Sequence, residues 1–169
     1  MLRAQSRMNG GLYDPDGIEL ESSLGYYLTK ARQALIERMD RALEPLDLTA
    51  QQVGVILLLS RGYVRTPFEL SRKMAYDSGS MTRMLDRLER KGFIARSRSE
   101  QDRRVIELTL TERGADAARA LPSLIATALN AQLAGFSADE LATLTGLLQR
   151  FIANSPGILG CDSSGEPDR

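Results

Sequence analysis

Residues 66–114 read TPFELSRKMAYDSGSMTRMLDRLERKGFIARSRSEQDRRVIELTLTERG. Thr66-Pro67-Phe68-Glu69 is a helix start. Thr caps, Pro takes the first helical position where its missing N–H costs nothing, and Glu closes the capping box. The spacing predicts a brief helix from Pro67 to about Ala75, with Leu70 and Met74 inward. Either Asp77 or Ser78 caps the next helix, whose buried stripe is Met81, Met84, Leu85 and Leu88, at steps of three and four. Gly92 ends it. Phe93–Arg98 and Val105–Leu110 are strand-like runs, and Ser99-Glu100-Gln101-Asp102-Arg103 between them forms a polar hairpin tip. Two short helices joined by a few residues and followed by a hairpin have the order of a winged helix-turn-helix, in which the second helix enters the major groove.

Helices flank this segment on both sides. Leu20, Leu24, Tyr27, Leu28, Ala31, Leu35, Met39, Ala42, Leu43 and Leu46 recur at helical steps, which predicts a helix of about 25 residues from about Glu19, ended by Pro45. A second helix opens at Thr49, with Gln52 completing a capping box, and stops at Gly62; a short extended piece, Tyr63–Arg65, follows. After the hairpin, Thr111 caps an Ala-rich helix with Ala115, Ala118, Leu121, Ile125, Ala128 and Leu129 on one face and a kink expected at Pro122. Ser137-Ala138-Asp139-Glu140 is a further capping box, and Leu141, Leu144, Leu147, Leu148 and Phe151 follow it in helical register. Residues 1–19 show no periodicity and read as a flexible arm. The Gly-, Pro- and Ser-rich stretch 154–169 reads as a disordered tail.

The net charge is zero, yet Arg61–Arg104 holds 12 basic and 6 acidic residues, so the flanks are acidic. On charge alone an ordinary solvated face is the lesser but open reading. The pattern adds more. Opposite the buried stripe, Ser80, Arg83, Arg87 and Arg90 share one face of the second helix. Ser78 and Ser80 sit at its N-terminus, where amides and hydroxyls suit phosphates or base edges. Arg83 suits a bidentate contact to guanine.

Pro67-Phe-Glu-Leu-Ser-Arg, the run Ser80-Met-Thr-Arg-Met-Leu-Asp-Arg-Leu-Glu-Arg-Lys-Gly-Phe-Ile, and Asp102-Arg-Arg followed by Leu108-Thr-Leu-Thr-Glu-Arg-Gly resemble the core of the MarR family. The similarity runs from about Leu24 to Phe151. The resemblance implies a mainly α fold with a small β-hairpin wing. It places a winged helix-turn-helix lobe over 48–110, with dimerisation helices over 20–46 and 111–153. It implies a homodimeric repressor on a palindromic double-stranded DNA operator, released by a small organic effector, aromatic or anionic. It also implies a wing-tip Arg in the minor groove, with Asp102 orienting Arg104. The candidate DNA contacts are therefore Ser78, Ser80, Met81, Thr82, Arg83, Arg87, Arg98, Asp102, Arg103 and Arg104. Tyr26, Tyr27, Arg32 and Met39 on the first helix are effector candidates, although core or dimer packing is the better reading of Tyr27.

What is missing narrows the function. The chain has no His, no Trp and one Cys, Cys161, in the tail. The usual acid–base and nucleophile triads lack members, and no phosphate loop or dinucleotide fingerprint occurs. Asp139 and Glu140 are accounted for by their capping box. An enzyme, a metal site and a cofactor are not expected. Within the resemblance, peroxide sensing through a first-helix Cys, zinc sensing through His and urate sensing through a first-helix Trp fall away. No signal-peptide pattern or long apolar run occurs, so no membrane partner is expected and the cytoplasm is the expected setting. An effector-independent architectural DNA-binding dimer stays open as the alternative.

Overall fold

The computed structural model describes residues 11–155. Six α-helices and one antiparallel hairpin appear among them: α1 (Leu24–Leu43), α2 (Ala50–Ser60), α3 (Pro67–Met74), α4 (Ser78–Arg90), β1 (Ile94–Arg98), β2 (Ile106–Leu110), α5 (Glu112–Gln132) and α6 (Ala138–Ala153). The chain divides into two compact units, Met1–Glu37 and Arg38–Arg169, with the division inside α1. Among the described residues, no single helix is long and apolar enough to cross a membrane.

In the first unit, residues 11–19 hold more local order than an arm without periodicity suggests. Asp14 caps a 3-10 turn over Pro15–Gly17, and the Tyr13 hydroxyl accepts from the Leu24 amide at 2.9 Å. Helix α1 starts at Leu24, not near Glu19. Ser23 Oγ accepts from the Tyr26 amide at 3.2 Å and donates to the Leu20 carbonyl at 2.7 Å, so the helix is capped there. Leu20–Ser22 forms a 3-10 turn. Its i, i+3 spacing extends the apolar repeat beyond the true helix and explains the overlong expectation. Downstream, α1 closes at Leu43, and Glu44–Leu46 is again 3-10, with Pro45 inside it.

The second unit holds the core. Leu43, Val55, Ile56, Leu70, Met84, Leu85, Leu88, Phe93, Ile94, Leu108, Ala117 and Leu121 cluster in it, all buried. At about 1.5–3 kcal/mol for each fully buried large side chain, this cluster welds α2, α3, α4, the hairpin and α5 into one lobe. The starts read from the sequence are present as chemistry. Glu69 Oε2 accepts from the amides of Arg65 (2.7 Å) and Thr66 (2.9 Å), while Thr66 Oγ accepts from the Glu69 amide (3.2 Å). The Arg65 amide foremost, then the Thr66 groups, hold the Glu69 carboxyl below the usual carboxylate range. Ser137 and Glu140 form the same reciprocal pair ahead of α6.

Two details differ from expectation. On α5 the deeply buried residues are Gly114, Ala117, Leu121 and Ala128, while Ala115 is half-buried, so the face is turned toward Ala117. Pro122 lies inside α5, as the sequence places it. The hairpin tip begins at Glu100, because Ser99 is buried and its amide donates to the Val105 carbonyl at 2.9 Å. The disordered-tail reading from 156 onward, and Cys161 with it, lie outside the described residues.

Candidate nucleic-acid interface

Helices α3 and α4 are joined by Ala75-Tyr76-Asp77. Ala75 is left-handed, at φ 53°, and its amide donates to the Arg72 carbonyl. This sharp turn costs a non-glycine residue roughly 1–2 kcal/mol, offset by the half-buried Tyr76, which packs against the core. Asp77, not Ser78, is the cap of α4: its Oδ1 accepts from the Ser80 amide at 2.8 Å. Hydrogen bonds from Ser80 hold the Asp77 carboxyl below its ordinary range.

Four apolar residues of α4, Met81, Met84, Leu85 and Leu88, are each 0–1% exposed. This settles Met81. It is a core residue and does not reach a nucleic acid, which corrects its place among the DNA contacts. A side chain in the inward stripe of a helix cannot also point outward. The exposed side of α4 carries Ser78, Thr82, Arg83 and Arg87, with Ser80 half-buried beside them. Thr82 Oγ donates to the Ser78 carbonyl at 2.8 Å, and an Arg83 Nη2–H donates to Ser80 Oγ at 3.0 Å. Arg83 is therefore laid back along the first turn of the helix, on the Ser80 hydroxyl.

The hairpin pairs Ile94 with Leu110 through Arg98 with Ile106. Its base is fixed in the core by Ile94 and Leu108, and the Leu108 amide donates to the Arg65 carbonyl at 2.7 Å, so the extended Tyr63–Arg65 piece docks along β2. Arg98, Asp102, Arg103 and Arg104 are all exposed on the projecting part. Asp102 contacts Arg104 through the backbone: its Oδ1 accepts from the Arg104 amide at 2.9 Å rather than from the guanidinium.

Two cations of the basic segment, and Arg113 beyond it, are used internally. Lys91 Nζ donates to the carbonyl and Oδ1 of Asp47 at 2.6 and 2.9 Å. Arg113 Nη1 donates to the Lys91 carbonyl, with its guanidinium over the Phe93 ring, 4.4 Å from the centroid. Arg96 Nη1 lies 2.7 Å from Asp86 Oδ1 and 3.1 Å from Glu89 Oε2. Sequence reasoning missed these partners, none of which stands in a local spacing motif. The usable signal for Arg96 was its position: a charge on the Ile94 side of an alternating strand requires an acid nearby.

The effector candidates fall in both units. Tyr26, Tyr27 and Arg32 belong to the first and Met39 to the second. Tyr26 and Tyr27 meet edge-on with centroids 5.6 Å apart, and Lys30 Nζ lies 5.7 Å from the Tyr26 centroid. Tyr27 is 60% exposed and so is not a core residue of the protomer. Among the described residues, no three His, Cys, Asp or Glu side chains gather where a metal would sit.

A helix, a tight turn, a second helix with an arginine-bearing outer face, and a basic hairpin together define a winged helix-turn-helix protein. Comparison with known proteins agrees. The MarR family model matches residues 48–106. The multiple antibiotic resistance protein MarR of Escherichia coli K12 is 34% identical over 130 residues, covering 76% of this chain and 90% of that protein. The crystal structure of a MarR mutant from E. coli complexed with operator DNA aligns with a TM-score of 0.69 at 33% identity, over 76% of this chain and 93% of that one. The transcriptional repressor CouR, bound to a 23-mer DNA duplex, aligns with a TM-score of 0.71 at 30% identity, over 78% of this chain and 94% of that one. The chain belongs to the MarR family.

Proposed function

We propose that this chain is a transcriptional repressor that binds a palindromic DNA operator as a homodimer and is released from it by a small aromatic or anionic effector. It acts by binding, not by catalysis, in the compartment that holds the DNA. The observation that carries this reading is the outer face of α4. Arg83 and Arg87 are exposed opposite a fully buried stripe, beside a hairpin exposing Arg98, Arg103 and Arg104. Two relatives whose structures hold operator or duplex DNA share this architecture at 30–33% identity.

In this reading α4 enters the major groove. Arg83 reads a base edge, Ser78, Ser80 and Thr82 bind phosphate or base edges at the helix start, and Arg87 binds phosphate. Arg98, Arg103 and Arg104 serve the hairpin, with one tip arginine in the minor groove, whose narrow tracts attract arginine. The Tyr26–Tyr27 pair and Arg32 offer the aromatic and cationic surface that an aromatic acid would take, with Met39 further along α1.

The operator is first selected from a random duplex library. Titrations at fixed salt then compare wild type, Arg83→Ala and Arg87→Ala on the operator and on a scrambled duplex. Arg83→Ala should lose about 1–3 kcal/mol on the operator alone. Arg87→Ala should weaken both duplexes alike. Unchanged operator affinity in Arg83→Ala refutes the assignment. Thermal-shift screening with aromatic acids and phenols finds the effector. A true effector weakens operator binding, and DNA weakens the effector by the same factor. If no ligand changes operator affinity, the architectural reading replaces this one.

A further inference from the structure

We infer that Arg96 is a positioning residue that sets the hairpin relative to α4, so that both can engage DNA together; this rests on the reading of those two elements as the DNA-binding surface. Arg96 lies on β1 opposite Leu108, on the same strand face as Ile94 and Arg98. Its guanidinium spans Asp86 and Glu89, one turn apart on α4, at 2.7 and 3.1 Å. Its side chain is 24% exposed, less than either carboxylate, so the cation is the inner member of the cluster.

Its place along the hairpin gives the contact its consequence. The base of the hairpin is held by the buried Ile94 and Leu108. Outward of Arg96, Arg98 and the tip arginines are exposed. Among the described ion pairs, those of Arg96 are the ones that join the hairpin to α4. The strand is thus tied to the reader helix two residues before the first proposed wing contact. A planar guanidinium bridging two carboxylates fixes direction as well as distance. With the tie removed, the hairpin keeps its base but gains freedom to swing, and that freedom is lost again on every binding event.

Arg96 also neutralises two acids on the exposed half of the helix that carries Arg83 and Arg87. Charge compensation and positioning therefore make different predictions, and a double-mutant cycle separates them. Operator affinity is measured for wild type, Arg96→Ala, Arg104→Ala and the double variant, at one salt concentration. Positioning predicts that Arg96→Ala weakens binding about tenfold in the wild-type background and less than about threefold once Arg104 is gone, because the tip contact that depends most on the aim of the hairpin is then absent. Equal loss in both backgrounds overturns the proposal. The triple variant Asp86→Asn/Glu89→Gln/Arg96→Gln removes the tie and both acids together. It should bind as weakly as Arg96→Ala, and recovery to wild-type affinity overturns positioning in favour of charge compensation. If Arg96→Ala does not fold by thermal melting, Arg96→Lys, which keeps the charge but not the two-pronged span, goes through the same cycle with the same criteria. If Arg83→Ala and Arg104→Ala both leave operator affinity unchanged, the underlying DNA-binding reading is at fault. If they weaken it while the Arg96 effect is additive, the positioning role alone fails.

Discussion

Asp102 places a negative charge on the part of the hairpin assigned to a polyanion, so simple electrostatics makes its removal favourable for binding. Its contacts argue the opposite. Its Oδ1 accepts from the Arg104 amide at 2.9 Å, and its carbonyl accepts from the Val105 amide at 2.9 Å. One residue thus fixes the turn from which Arg103 and Arg104 project, as short acidic side chains do where they replace a backbone turn bond. The resemblance led to an aspartate orienting the arginine head. In the structure this carboxylate engages the arginine's backbone instead, since the amide two residues on is its donor. Asp102→Ala should therefore weaken operator binding by roughly 0.5–1.5 kcal/mol, the net worth of such a bond. Asp102→Asn keeps an acceptor oxygen and loses the charge, so it should bind at least as tightly as wild type. Operator titrations at fixed salt decide between the accounts: tighter binding by Asp102→Ala would reduce the residue to a surface charge.

Thr111 joins two elements at the start of α5. Its hydroxyl accepts from the Gly114 amide at 3.1 Å and donates to the Gly92 carbonyl at 2.6 Å, and its amide donates to the Phe93 carbonyl at 3.1 Å. The end of the reader helix and the start of α5 are thereby fastened together, close enough that a Cβ on Gly114 would stand 2.0 Å from the Phe93 oxygen. That oxygen is held backbone, so Gly114→Ala should destabilise the lobe by about 1–3 kcal/mol or more through overpacking. Gly54 is the control. A Cβ there meets Met74 Cε at 2.8 Å, the free end of a flexible side chain. The gain of about 1 kcal/mol in helix propensity should leave Gly54→Ala near wild type. Urea unfolding of both variants checks the contrast, and equal losses would contradict it. The same elements show what could be read from sequence. The starts of α2, α3, α5 and α6 were legible because capping is local chemistry within four residues. The α4 stripe was legible because burial imposes a period. The start of α1 was not, since a 3-10 turn over Leu20–Ser22 continues the apolar spacing. The left-handed Ala75 gave no glycine to announce it. The strand position of Arg96 signalled that it needs an acid, but which acids, Asp86 and Glu89, was not legible, nor was Asp47 for Lys91, because those pairs are made by packing rather than by spacing.

Helix α6 buries no residue, although a capping box starts it and Leu141, Leu144, Leu147 and Phe151 line it at helical spacing, 38–54% exposed. Helices in proteins draw most of their stability from packing an amphipathic face, and an uncovered apolar stripe is a liability for a monomer. A second copy of the chain covers such a stripe by two-fold symmetry, each copy presenting the same residues to the other. Full burial of a large apolar side chain yields about 1.5–3 kcal/mol. Leu141, Leu144, Leu147 and Phe151 are already about half covered, so burying the rest of them in both protomers adds roughly 6–12 kcal/mol, of the same order as the roughly 4–15 kcal/mol cost of association. The protein should therefore sediment as a dimer at micromolar concentration. Leu144→Glu/Leu147→Glu should make it a monomer. The lobe should survive, because no residue of α6 belongs to the buried core cluster, so circular dichroism should show the helices of the lobe retained. The DNA consequence is sharper than the change in mass. A dimer holds two reader helices for half-sites about one helical turn apart, and linking two contacts raises apparent affinity by about 10²–10⁴. Wild type should prefer the full palindrome to a duplex carrying one half-site by a factor in that range, and the double variant should bind both duplexes equally and weakly. A wild-type monomer at micromolar concentration sinks the dimer. A double variant that is monomeric yet still prefers the palindrome would show that symmetry in the DNA is read by some other means than a paired protein.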